Sequence, residues 1–110
     1  MKKLTVNEQI FLISIWHLKD EAYGVKIRKK IIELTGGPIL FGTLYNTLDS
    51  LVKKGYVVTR KGEPTSQRGG QNKVYYSLTK EGMLALERAR ELQESLWIGI
   101  PKILYNDAGN

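Results

Sequence analysis

A chain of 110 residues, 42% hydrophobic and 25% charged, makes one globular core and little more, and its lack of cysteine excludes disulfide frameworks and thiolate metal sites. Its net charge of +6 is concentrated: residues 19–80 carry twelve Lys/Arg against five Asp/Glu, whereas residues 81–110 carry three against five. A positive middle suits a polyanionic partner, and a solvated charge run equally well, so charge opens that question without closing it.

Thr5-Val-Asn-Glu8 matches a capping box, in which a Thr hydroxyl and a Glu carboxylate satisfy first-turn N–H groups reciprocally. The dense apolar run Ile10–Leu18, broken by Ser14 and His17, then predicts a short helix buried on most of its circumference. Lys19-Asp20-Glu21 reads as a turn. A second helix is expected over Tyr23–Leu34, with Val25, Ile27, Ile31, Ile32 and Leu34 inward and Lys26, Arg28, Lys29 and Lys30 on a basic side; Gly36-Gly37-Pro38 ends it. Ile39-Leu40-Phe41 is too short for a helix and is read as a small strand.

A third helix is expected from Gly42 or Thr43 to Lys54, with Leu44, Leu48, Leu51 and Val52 as its stripe and Gly55 as its C-cap. The period then switches to two. Residues 56–61 and 73–78 read as strands joined by a long polar loop, Gly62–Asn72. Thr79 caps a fourth helix, whose stripe runs through Met83, Leu86, Ala89, Leu92, Leu96, Trp97 and Ile100. The order is helix, helix, helix, strand, wing, strand, helix. The expected fold is mainly α with a small β-hairpin, a winged helix-turn-helix over residues 1–79 followed by a dimerisation helix and tail over residues 80–110.

Four segments also resemble one family, the PadR-like transcriptional regulators. They are Glu21–Ile27, Phe41–Leu48, Leu51–Tyr56, and Lys73–Thr79 with Gly82, in the family's order and spacing. The resemblance implies a homodimeric DNA-binding regulator that usually represses. Two departures stand out: Asn46 occupies the position after the Leu-Tyr pair where these proteins commonly carry Pro, and only about 31 residues follow Thr79, as in the compact subgroup with a single C-terminal helix.

On that reading the third helix enters the major groove of double-stranded DNA, presenting Thr43, Asn46, Thr47, Ser50 and Lys53. Tyr45 has two readings, packing on the second helix or a phosphate contact through its hydroxyl, and stays among the contacts. Lys61, Arg68 and Lys73 flank or occupy the wing, with Lys26, Lys29 and Lys30 as further phosphate contacts. Ala89, Leu92, Leu96 and Ile100 are assigned to the homodimer. Trp97 with Gln93 is assigned to a pocket for a planar aromatic effector at the dimer centre, because the small drug-responsive members of the family carry a central Trp on this helix.

Other functions have less support. His17 has no second His or Cys to build a metal site, and neither Gly-Gly pair sits in a phosphate-binding loop, so no enzyme, cofactor or metal is expected. Without a long apolar run or leader-like start, the expected location is the cytoplasm, with no membrane partner. A ligand-responsive multidrug-type regulator and a protein-interaction module on a winged-helix fold are the alternatives.

Overall fold

The computed structural model describes residues 3–62 and 73–102. Its elements are α1 (Val6–Leu18), a 3-10 turn (Lys19–Glu21), α2 (Gly24–Thr35), α3 (Phe41–Lys53), β1 (Val57–Lys61), β2 (Val74–Leu78) and α4 (Lys80–Trp97). The expected order of helices and strands is therefore observed, with boundaries within two residues of those read from the pattern except that α4 stops at Trp97, short of Ile100; the wing loop over residues 63–72 lies outside the described residues.

Local chemistry explains where the helices start and stop. The Thr5 hydroxyl accepts the Glu8 N–H at 3.0 Å, and the Glu8 carboxylate accepts the Thr5 N–H at 2.8 Å, so the capping box is complete. Gly36 and Gly55 take the positive φ angles of 75° and 81° that close α2 and α3. The Thr79 hydroxyl accepts the Gly82 N–H at 3.0 Å and donates to the Gly55 carbonyl at 2.6 Å, which ties the start of α4 to the end of α3.

Phe11, Leu12 and Ile15 of α1 form one core with Ile27, Ile31, Leu44, Leu48, Leu51, Val57, Tyr76 and Ala85. Ser14 is fully buried within it, and its hydroxyl donates to the Ile10 carbonyl at 2.8 Å. The face of α1 bearing Val6, Ile13 and Trp16 is exposed, so this helix is buried on one side rather than most of the way round. Val25 and Leu34 of α2 are likewise exposed, leaving Ile27 and Ile31 as its inward pair. The dense apolar pattern predicted more burial than one small domain supplies.

The hairpin pairs β1 with β2 antiparallel, Val57 opposite Leu78 through Lys61 opposite Val74. Two strands alone are marginal, and the expected third strand at Ile39–Phe41 does not form. Leu40 is instead the extended N-cap of α3, and the Ile39 carbonyl accepts the Arg28 Nε–H at 2.8 Å, so a side chain satisfies that backbone. The third edge comes from Ala22-Tyr23: Tyr23 bridges Tyr75, and the Tyr76 N–H donates to the Ala22 carbonyl at 2.8 Å.

A candidate nucleic-acid interface

Because Leu44, Leu48 and Leu51 are fully buried, the rest of α3 is oriented by them. At about 100° per residue, Gly42, Asn46, Asp49 and Lys53 lie opposite the core, Thr43 and Ser50 flank them on one side, and Tyr45 lies on the other. Thr43, Asn46 and Lys53 are exposed, whereas Thr47 and Ser50 are half-buried. Asp49, absent from the residues predicted to face DNA, is exposed on this same face. On this helix it can accept from a cytosine amino group.

Tyr45 sits where its hydroxyl meets the start of α2. A Cβ built on Gly24 would come within 3 Å of the Tyr45 hydroxyl oxygen and two of its ring carbons, so only glycine permits the approach. The ring also stacks on Phe41 at 6.4 Å, and the Arg28 guanidinium lies over Phe41 at 4.5 Å. Both readings of Tyr45 are thereby compatible: the ring packs while 41% of the residue stays exposed. The contact depends on glycine having no side chain, which the residue pattern alone does not display.

The base of the hairpin is a ladder of cations and rings. The Arg60 guanidinium lies 4.4 Å from the Tyr75 centroid, Tyr75 meets Tyr23 edge-on at 5.6 Å, and Lys73 Nζ lies 4.2 Å over Tyr23. Arg60 also donates to the Asp20 carbonyl at 3.1 Å, tying the hairpin to the turn before α2. Lys61 ends β1, while Arg68 lies outside the described residues. Lys26 and Lys30 pair with Glu21 and Glu33 at 3.5 and 3.2 Å, whereas Lys29, Lys53, Lys61 and Lys73 make no ion pair with a described residue. The strongest cationic candidates are therefore Lys53 on α3, Lys61 and Lys73 at the hairpin base, and Lys29 on α2.

Burial raises the Tyr76 phenol above its ordinary value, with the charges of Asp49 and of Tyr45 acting in the same direction. It is neutral at physiological pH and adds no charge beside Tyr45.

Of the residues assigned to dimerisation, Ala89, Leu92 and Leu96 lie on α4, whereas Ile100 does not, because the helix ends at Trp97 and Gly99 turns the chain at a φ of 82°. Ala89 packs partly on the chain's own core, but Leu92, Leu96 and Ile100 are exposed. Trp97 is also exposed, and its indole N–H donates to the Gln93 side chain at 3.3 Å. A groove of about 880 Å³ between α1 and α4 is lined by Ile13, Trp16, Met83, Leu86 and Gln93, and by Glu87, Glu91 and the Arg90–Glu94 ion pair at 3.5 Å. Gln93 lines this groove together with Trp16, and Trp97 does not; the pocket expected at the dimer centre would be formed by two chains. Among the described residues no group of His, Cys, Asp or Glu is arranged to hold a metal, and no helix is long and apolar enough to cross a membrane.

A helix pair presenting a polar third helix beside a basic hairpin defines a winged helix-turn-helix, the architecture of DNA-binding regulators. Residues 14–88 match the transcriptional regulator PadR-like family, and the chain belongs to that family. It is similar to a transcriptional regulator from Clostridium thermocellum, at 28% identity over 91% of this chain and 89% of that one, with a TM-score of 0.67. RosR from H. salinarum is 27% identical over 98% and 96% of the two chains, at a TM-score of 0.68. A PadR family transcription regulator from hypervirulent Clostridium difficile is 27% identical over 92% and 97%, at a TM-score of 0.60. No curated protein matches the chain.

Proposed function

We propose that the protein acts in the cytoplasm as a homodimeric repressor, reading double-stranded DNA with α3 and holding it with the hairpin. Residues 1–79 form the DNA-binding unit and residues 80–110 the dimerisation segment. The observation that carries this reading is the outer face of α3. Thr43, Asn46 and Lys53 are exposed there while Leu44, Leu48 and Leu51 anchor the helix rigidly beneath them. Asn46 supplies the amide that pairs with adenine, and Lys53 and Lys73 supply charge to phosphates. Repression rests on the family resemblance.

Reading and anchoring separate experimentally. Asn46→Ala and Thr47→Ala each lower the preference for operator over unrelated duplex by roughly 5- to 100-fold, the loss expected for a base contact. Lys73→Ala weakens both duplexes alike and lowers the salt slope by about one. Folded, dimeric α3 variants that keep full operator preference place the reading surface elsewhere.

A second reading, control by a planar aromatic effector, is supported by the groove between α1 and α4. Its apolar walls suit a flat ring, the carboxylates of Glu87 and Glu91 favour a cation beside the Arg90–Glu94 pair, and Trp16 offers the stacking surface. Saturable binding of planar cations is expected to disappear in Trp16→Ala and to survive in Trp97→Phe. The reverse result moves the site to Trp97, and no binding by the intact protein removes this class of effector.

A further inference from the structure

Glu8 faces the protein interior at 8% exposure, on a helix whose other inward side chains are apolar except for Ser14. One of its carboxylate oxygens accepts the Thr5 N–H at 2.8 Å. The other accepts a hydrogen bond from the Lys54 ammonium, 46 residues further along the chain. Lys54 is the C-cap of α3, and its N–H donates to the carbonyls of Ser50 and Val52. A cation is favoured at that helix end by the exposed carbonyls. Among the described residues this is the salt bridge that joins α1 to α3. The remaining cohesion between the two helices is the apolar cluster, which resists separation but is not directional. A charge-assisted hydrogen bond fixes direction as well as distance.

Burial raises the Glu8 carboxyl, but the hydrogen bonds from Lys54 and Thr5 and the Lys54 charge outweigh it and hold the group below its ordinary value. The carboxylate is ionised at neutral pH. A flanking face of α1 carries Ile13 and Trp16 into the groove with α4. One helix therefore connects that groove to the end of α3.

We propose that Glu8 and Lys54 are positioning residues for DNA recognition: their pair sets the orientation of α3 relative to α1, and so the operator that the two α3 helices of a dimer fit. This proposal rests on the DNA-binding reading above. It separates recognition from general affinity in a way that simple electrostatics does not. Glu8→Gln removes a negative charge, so a purely electrostatic role makes every duplex bind as tightly as before or more tightly.

The test uses the intact protein, an operator selected from randomised duplexes, and an unrelated duplex of equal length. Glu8→Gln, Lys54→Met, the double variant and Lys54→Arg are titrated well below their melting temperatures, with dimer state checked by sedimentation. The operator-to-unrelated affinity ratio is expected to fall about tenfold in each single variant, a size typical of coupled neighbours, and no further in the double. Lys54→Arg is expected to recover most of it. Should Glu8→Gln fail to fold, the contrast between Lys54→Met and Lys54→Arg decides alone. A wild-type ratio retained by the folded single variants overturns the positioning role. A wild-type protein that prefers no duplex overturns the DNA-binding reading itself, and this proposal with it.

Discussion

Replacing Leu92 and Leu96 together by aspartate is expected to convert the protein to a monomer and to lower operator affinity by on the order of a hundredfold or more, the loss of one of two linked half-site contacts. The reason lies in how α4 leaves the core. Its inward stripe begins with Ala85, 4% exposed, continues through half-buried Ala89, and emerges at Leu92 and Leu96, 39% and 62% exposed. Ile98 and Ile100 extend the exposed apolar surface beyond the helix, and Ile13, Trp16 and Met83 continue it onto the α1 side. A monomer rarely leaves such apolar surface in water, and on the proposed reading a second copy would cover it by symmetry. Because both leucines are already exposed within one chain, the charges cost the monomer little. Sedimentation equilibrium reads the change directly: a doubly substituted protein that remains dimeric puts the interface elsewhere.

Gly82→Ala is expected to destabilise the fold on the order of 3 kcal/mol, the upper range for an overpacked site. A Cβ at this position would lie 2.2 Å from the Tyr56 carbonyl oxygen and 3.0 Å from its carbon. These are backbone atoms, and the same carbonyl accepts the Thr79 N–H at 3.0 Å, so it cannot turn aside without losing the junction of hairpin and α4. Relief requires α4 to lift from the end of α3. A loss of that size is a large part of the 5–15 kcal/mol typical of a domain, and corresponds to a fall of roughly 10–20 °C in Tm. Gly42→Ala is the control, since nothing lies within 4 Å of its Cβ and its φ is not positive. That change is expected to raise Tm slightly through better helix propensity. Equal melting temperatures for Gly82→Ala and wild type would mean that the close approach is not maintained in solution.

Both sites show what a residue pattern carries and what it does not. The Thr5 capping box, the positive-φ Gly55 just past the Lys54 C-cap, the Thr79 N-cap and the switch from helical to strand period are local, and each is legible in neighbouring residues alone. The leucine stripe of α3 is equally plain in the sequence, and it puts Asn46 and Lys53 on the outer face. The features that were missed are long-range. Gly24 admits the Tyr45 ring and Gly82 admits a carbonyl, yet a glycine inside a helical pattern does not announce its neighbour. Arg28 was counted with the basic side of α2, whereas it holds the Ile39 carbonyl and covers Phe41. Glu8 was read as half of a capping box, with no sign that its second oxygen reaches Lys54. Apolar Ile39-Leu40-Phe41 was taken for a strand because nothing in it signals that a distant guanidinium satisfies its backbone.

The most direct test of the central claim, sequence-selective DNA binding by a dimer, is a salt-dependent titration of a selected operator against an unrelated duplex of the same length. Binding is expected at two chains per operator, with half-site centres about 34 Å apart or at another helical multiple. Affinity for both duplexes is expected to fall steeply with salt, because several Lys and Arg side chains of each chain displace counterions. The operator is expected to remain at least about a thousandfold preferred at the higher salt, the low end for specific regulators. Equal affinity for the two duplexes at every salt concentration, or no measurable binding to either, would contradict the account.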